Sequence, residues 1–201
     1  MLLIRSTIRL ATSSNLYAFA MTINGNIFLV GPMGVGKTTI GKVLADQLGL
    51  EFFDSDREIE AATGADIPWI FDVEGEQGFR IRESRMIAEL AARNDVVVAT
   101  GGGSVLAEEN RKWLTSRGFV VYLRASLAQQ LERTSRDKNR PLLQTPDPAS
   151  KIKELMKIRE PLYKEVADIT VDTNRRNPRT VSNEIITRLN KFREQETKAA
   201  T

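Results

Sequence analysis

Residues 31–38 read Gly-Pro-Met-Gly-Val-Gly-Lys-Thr: a glycine, four residues of any kind, then Gly-Lys-Thr. That spacing defines a phosphate-binding loop between a strand and a helix. The flanks agree. Ile27-Phe28-Leu29-Val30 is a short apolar run of the kind a buried parallel strand shows. Behind the loop, Ile40, Val43, Leu44 and Leu48 recur at helical spacing, and Gly49 supplies a C-terminal cap. Glycines leave room for backbone N–H groups to converge on phosphate oxygens, reinforced by the positive end of the following helix. Gly34, Val35, Gly36, Lys37, Thr38 and Thr39 are therefore the expected ATP contacts. Lys37 brings a point charge to the β- and γ-phosphates, and the Thr38 hydroxyl is a candidate Mg²⁺ ligand.

The remaining composition narrows the chemistry. The chain has 201 residues, enough for one domain with a substantial core, and is 41% hydrophobic and 27% charged. Its net charge is only +3, so a pI near 9.3 is weak grounds for nucleic-acid binding, and none is expected. The absence of Cys excludes disulfides and thiol catalysis, and the absence of His excludes imidazole bases. No apolar stretch is long enough for a membrane span.

Residues 1–21 carry Arg5, Arg9 and several Ser and Thr but no acid. Arg9 with Thr12-Ser13-Ser14-Asn15 breaks the continuous apolar middle that a secretory signal needs. Three readings stay open: a start site placed too early with Met21 the initiator, an organelle address, or a disordered tail. The expected organisation is an extension over 1–25, a single domain over 26–195 and a tail over 196–201, in the cytoplasm.

From residue 26 onward strands and helices alternate. Glu51-Phe52-Phe53 leads into Asp54-Ser55-Asp56. Asp66 is placed to cap a helical turn, and Phe79, Glu83, Met86, Ile87, Leu90 and Ala91 share one face of a longer helix. Val96 to Ala99 ends in Thr100 and Gly101-Gly102-Gly103. Phe119 to Leu123 and Ile169 to Val171 are further strands, and Val181, Ile185, Leu189 and Phe192 mark a closing helix. The pattern predicts an α/β fold, a mostly parallel sheet with helices on both faces and the ligand at the carboxyl ends of its strands. Trp69, Phe71, Trp113 and Phe119 are read as core.

Phosphate-binding loops serve motors, switches and kinases. A motor would end a second apolar strand in an acid, whereas Val96 to Ala99 runs into Thr-Gly-Gly-Gly. Asp72-Val73-Glu74-Gly75 matches one GTPase string but follows a helical pattern, and no Asn-Lys-x-Asp exists. A compact kinase remains, with its metal-associated acid at Asp54 or Asp56.

The loop, together with Phe-Phe-Asp-Ser-Asp, Gly-Glu-Gln-Gly-Phe-Arg, Ala-Thr-Gly-Gly-Gly, Arg-Pro-Leu-Leu and Arg-x-Pro-Leu-Tyr, resembles shikimate kinase over roughly residues 26–192. The resemblance implies a five-stranded parallel sheet of nucleotide-monophosphate-kinase type with a shikimate-binding segment over about 56–93 and a mobile lid over about 133–148. It implies transfer of the ATP γ-phosphate to the 3-hydroxyl of shikimate, in chorismate and aromatic amino-acid synthesis. By matching position, Asp56 is the proposed base and contacts the ring hydroxyls, and Asp54 holds Mg²⁺ with Thr38. Arg80 and Arg159 clamp the carboxylate, and Gly101, Gly102 and Gly103 approach the ring. Arg140 reaches the phosphates from the lid, while Arg133 and Arg176 lie near the adenine; Arg175 competes for the last role. Expected ligands are ATP or ADP, Mg²⁺ and shikimate, on a monomer. Physical chemistry supports the arginines, because a guanidinium fork pairs a carboxylate better than lysine does. Plainer roles compete: Asp54 and Asp56 as helix caps, Arg80 as a partner of Glu76 or Glu83, Arg159 as an exposed helix-end charge, Gly101 to Gly103 as a simple turn, and 133–140 as a solvated loop. A gluconate-type kinase and a non-catalytic ATP-binding regulatory module are the alternative functions.

Overall fold

The computed structural model describes residues 25–135 and 141–199. Five strands, β1 (Asn26–Val30), β2 (Glu51–Asp54), β3 (Val96–Ala99), β4 (Gly118–Arg124) and β5 (Ile169–Asp172), form one sheet in the order β2-β3-β1-β4-β5. All four neighbouring pairs are parallel. Their carboxyl ends therefore share one edge, with Asp54 opposite Ala99 and Leu29 opposite Ala99 on its other side. The crossovers are made by α1 (Lys37–Leu48), α2 (Ser55–Thr63), α3 (Ile67–Ala91), α4 (Glu108–Arg117), α5 (Leu127–Thr134) and α6 (Pro148–Val166), and α7 (Pro178–Ala199) follows β5.

The apolar strand runs explain why both faces are covered. Alternate residues point to opposite faces, so Ile27, Leu29, Val97, Val121 and Leu123 pack with Ile40 and Leu44 of α1 and Ile185 and Leu189 of α7. Phe28, Val30, Val98, Val120 and Tyr122 pack on the other side with Ile87 and Leu90 of α3, Leu114 of α4 and Tyr163 of α6. A third, small cluster of Ile59, Ile70 and Phe79 joins α2 to α3 and gives the 56–93 segment its own apolar support.

Several expectations need correction. β2 runs one residue further than Glu51-Phe52-Phe53, ending at Asp54, and Asp56 already lies in the first turn of α2. The turn capped by Asp66 and the longer helix are distinct, as expected: within the span of α3, Gly75, with φ of 70° and ψ of 178°, breaks the helix between them. Trp69 is not core. It is 54% exposed, because helical spacing puts Ile70 and not its neighbour on the buried side. As expected, Asp72 to Gly75 lies in α3 with no strand before it, and Glu74 pairs with Arg82 at 2.6 Å. α7 continues to Ala199, past the boundary drawn at 195. Arg133 sits in the last turn of α5 and Pro148 opens α6, so both ends of the 133–148 segment are helical. Arg140 lies outside the described residues, as do 1–24. No helix among the described residues is long and apolar enough to cross a membrane.

Candidate active site

Three strand ends build the site. β1 feeds the loop at 31–36, β2 delivers Asp54 and Asp56, and β3 delivers Thr100 to Gly103. Two cavities adjoin along this edge. The first, about 440 Å³, is lined by Gly34 to Ile40, by Asp54 and Thr100, and by Arg133, Thr173, Arg176 and Pro178. The second is lined by Arg80, Glu83, Gly101, Gly103 and Arg159, with Phe71, Phe79, Pro141 and Leu142 as apolar walls. Asp56 and Gly102 line both.

Gly34 shows why the loop needs glycine. Its φ is +72°, and a Cβ would stand 2.9 Å from Thr134 Cγ2 and 3.0 Å from the Gln130 carbonyl. The Lys37 ammonium donates to the Gly31 and Pro32 carbonyls at 2.7 and 2.8 Å, which keeps the charge inside the loop. Arg133 braces the same loop from α5, donating to the carbonyls of Gly34 at 3.2 Å and Val35 at 3.1 Å, and to that of Thr173 at 3.3 Å. Between the two neighbouring arginines the geometry separates the roles. Arg176 lines the first cavity and is held by Glu184 at 2.6 Å, whereas Arg175 is exposed with its backbone N–H on Gln129.

Asp54 caps the helix and also faces the phosphate loop. Oδ1 caps α2, accepting from the N–H groups of Asp56 at 3.2 Å and Arg57 at 3.5 Å. Oδ2 accepts from the Thr38 hydroxyl at 2.6 Å. One hydroxyl and one carboxylate at the mouth of a phosphate loop fit Mg²⁺, which takes few protein ligands and keeps waters and phosphate oxygens. Among the described residues no cluster of three carboxylates offers a fuller metal cage.

In the second cavity Arg80 pairs with Glu83 at 2.6 Å and Glu76 at 2.8 Å, so the plain ion-pair role and a cavity-lining position coexist. In the sequence Glu83 is an acid in an apolar helix face and a possible partner of Arg80; a glutamate in such a stripe is the signal that marks it. It is 1% exposed, and its Oε1 has no hydrogen-bond partner among the described residues. Burial pushes its carboxyl above the usual carboxylate range, while the charges of Arg80 and Arg159 oppose that rise. Gly101 is tightly confined: a Cβ there would meet both Glu83 Oε1 and Asp56 Oδ1. Its N–H is fixed by the buried Ser55 hydroxyl at 2.9 Å. Arg159 is not an exposed helix-end charge. It is 4% exposed and donates to the Gly102 carbonyl at 3.3 Å. Thr173 and Pro178, which line the first cavity, were not singled out by sequence, since a lone Thr and a helix-opening Pro carry no motif.

A family model described as shikimate kinase matches residues 33–190. The shikimate kinase of Pseudomonas syringae pv. syringae (strain B728a) is 60% identical over 164 residues, covering 82% of this chain and 95% of that protein. That of Methylococcus capsulatus (strain ATCC 33009 / NCIMB 11132 / Bath) is 56% identical over 161 residues, covering 80% of this chain and 90% of its own length. Among solved structures, shikimate kinase from Acinetobacter baumannii in complex with shikimate superposes with a TM-score of 0.83 at 53% identity, covering 84% of this chain and 94% of that one. A gluconokinase from Sinorhizobium meliloti 1021 reaches a TM-score of 0.60 at 18% identity, covering 88% and 98%, a likeness of fold alone.

Proposed function

The chain belongs to the shikimate kinase family, and on that premise we propose that it transfers the γ-phosphoryl group of ATP to the 3-hydroxyl of shikimate, within aromatic biosynthesis. The observation that carries the assignment of roles is that Asp56 lines both cavities. An acceptor hydroxyl held in the second cavity meets a phosphoryl group held in the first beside this one carboxylate.

In this reading the loop N–H groups from Gly34 to Thr39 and the Lys37 ammonium bind the phosphates, and Arg133 and Arg176 flank the base. Thr38 and Asp54 hold Mg²⁺, which when bound neutralises phosphate charge. Arg80 and Arg159 bind the shikimate carboxylate, and Gly101 to Gly103 form the wall along the ring. Asp56 accepts the proton of the hydroxyl as its oxygen bonds to phosphorus and the bond to the ADP oxygen breaks. Positioning and charge do most of the work, as phosphoryl transfer requires. Arg140 joins this proposal on sequence grounds alone.

The direct test is the initial rate of ADP release with shikimate, with gluconate and with neither. The proposal predicts turnover with shikimate only. Comparable rates with gluconate favour the alternative kinase, and no release in any arm favours a non-catalytic module.

The clamp yields a further expectation. Arg159→Ala should raise the KM for shikimate far more than that for ATP, by roughly 2–5 kcal/mol in binding, and Arg159→Lys should restore only part. Arg80→Ala should weaken shikimate as well but also lower the melting temperature, because it strips the buried Glu83 of its partner. Equal damage to both substrates by Arg159→Ala contradicts the clamp.

A further inference from the structure

We propose that Tyr163 is a positioning residue for the acceptor site: its phenol O–H pins the Gly102 carbonyl, and through it sets the glycine wall and the Arg159 guanidinium. The inference rests on the shikimate reading above and adds a residue to which no role has been given so far.

Tyr163 is fully buried in the middle of α6, and its hydroxyl donates to the Gly102 carbonyl. The same carbonyl accepts from Arg159 Nη1 at 3.3 Å. One acceptor thus ties together the phenol, an arginine of the second cavity and the one glycine that lines both cavities. A buried phenol usually places its O–H on a hydrogen-bond partner, and here that partner is the Gly102 carbonyl. Burial is the largest influence on the phenol's acidity and drives its pKa well above the usual value, so it remains a donor under all working conditions.

The consequence reaches the substrate wall through peptide geometry. The Gly102–Gly103 peptide is planar, so a fixed Gly102 carbonyl fixes the direction of the Gly103 N–H. Gly103 lines the second cavity, and its α-carbon lies directly against the Arg80 guanidinium, where any Cβ would overlap it. Tyr163 therefore acts on Arg159 through a shared acceptor and on Arg80 through Gly103.

The neighbouring Tyr122 provides an internal contrast. Its ring stacks on that of Tyr163 with centroids 5.1 Å apart, and it is equally buried. Its hydroxyl, however, has no hydrogen-bond partner among the described residues. The two phenols share packing and differ in the bond to the wall.

Tyr163→Phe keeps the stacked ring and removes only that bond. In steady-state assays of the full chain it should raise the KM for shikimate roughly tenfold, as loss of one buried hydrogen bond implies, with the KM for ATP changed less than about twofold. Tyr122→Phe should leave both values unchanged. Incorporating 4-aminophenylalanine at Tyr163, which restores a donor on the same ring, should bring the shikimate KM back toward that of the unaltered protein. The inference is overturned if Tyr163→Phe leaves the shikimate KM unchanged, shifts both substrates alike, or fails to fold, or if the amino analogue does not rescue. An unaltered protein that does not phosphorylate shikimate refutes the functional reading itself, and the two failures are thereby distinct.

Discussion

Lys37→Ala is expected to lower kcat by about 10³-fold while leaving the fold intact, because a preorganised charge aimed at a developing negative centre is among the largest single catalytic contributions. The ammonium already sits inside the loop, bonded to the Gly31 and Pro32 carbonyls at 2.7 and 2.8 Å. Little reorganisation separates this arrangement from one in which phosphate oxygens are its partners. The side chain makes no part of either main core cluster, so the melting temperature should move by less than about 3 °C. Lys37→Arg should not rescue: the fork is bulkier and planar, and the loop is shaped around a compact charge. Stopped-time measurement of ADP and circular dichroism on the same sample check both halves. Near-normal turnover by a folded Lys37→Ala protein contradicts the assignment of the loop.

The second large effect is expected at Asp56. Asp56→Asn preserves the shape and the helix position but removes the charge that orients and accepts a hydroxyl proton. The loss should fall on kcat, by about 10²–10⁴-fold, with a smaller change in the KM for shikimate. The placement of Asp56 explains why one residue can do this. It lies in the first turn of α2, behind the cap made by Asp54, and lines both cavities. Asp54→Asn should behave differently, weakening the metal-dependent step while keeping the cap, because an amide oxygen can still accept from the helix start but the charge beside Thr38 is lost. If Asp56→Asn alters only the KM for shikimate, Asp56 is a binding residue and proton transfer is not part of its work.

What the sequence disclosed, and what it withheld, follows from the range of each interaction. Fold class came from local signals: apolar runs of four or five residues for buried strands, a 3.6-residue stripe for helices, and glycines where the chain must turn. These give the parallel sheet, but not the order β2-β3-β1-β4-β5, which is a property of crossovers. The phosphate loop was readable in one stretch because all its parts are contiguous. The proposed acceptor site is suggested in the sequence only by resemblance, since Asp56, Arg80, Gly102 and Arg159 come from four separate segments. Asp54 illustrates the limit of local reasoning. A helix cap and a place beside the phosphate loop are alternatives in the sequence, and in the fold one oxygen caps α2 while the other accepts from Thr38. Glu83 was visible as an acid in an apolar stripe, yet only packing reveals that it is buried against Arg80. Tyr163 was visible only as the last residue of Arg-x-Pro-Leu-Tyr, and its bond to Gly102 gave no local sign, because the partner lies 61 positions away.

The central question for this enzyme family member is which acceptor atom receives the phosphoryl group. Phosphorus-31 NMR of the products formed from ATP, Mg²⁺ and shikimate tests it most directly. The expected result is a single new monophosphate ester, coupled to the ring proton at carbon 3 and formed in equal amount with ADP. ADP formed without an ester, or an ester at another oxygen, would contradict it.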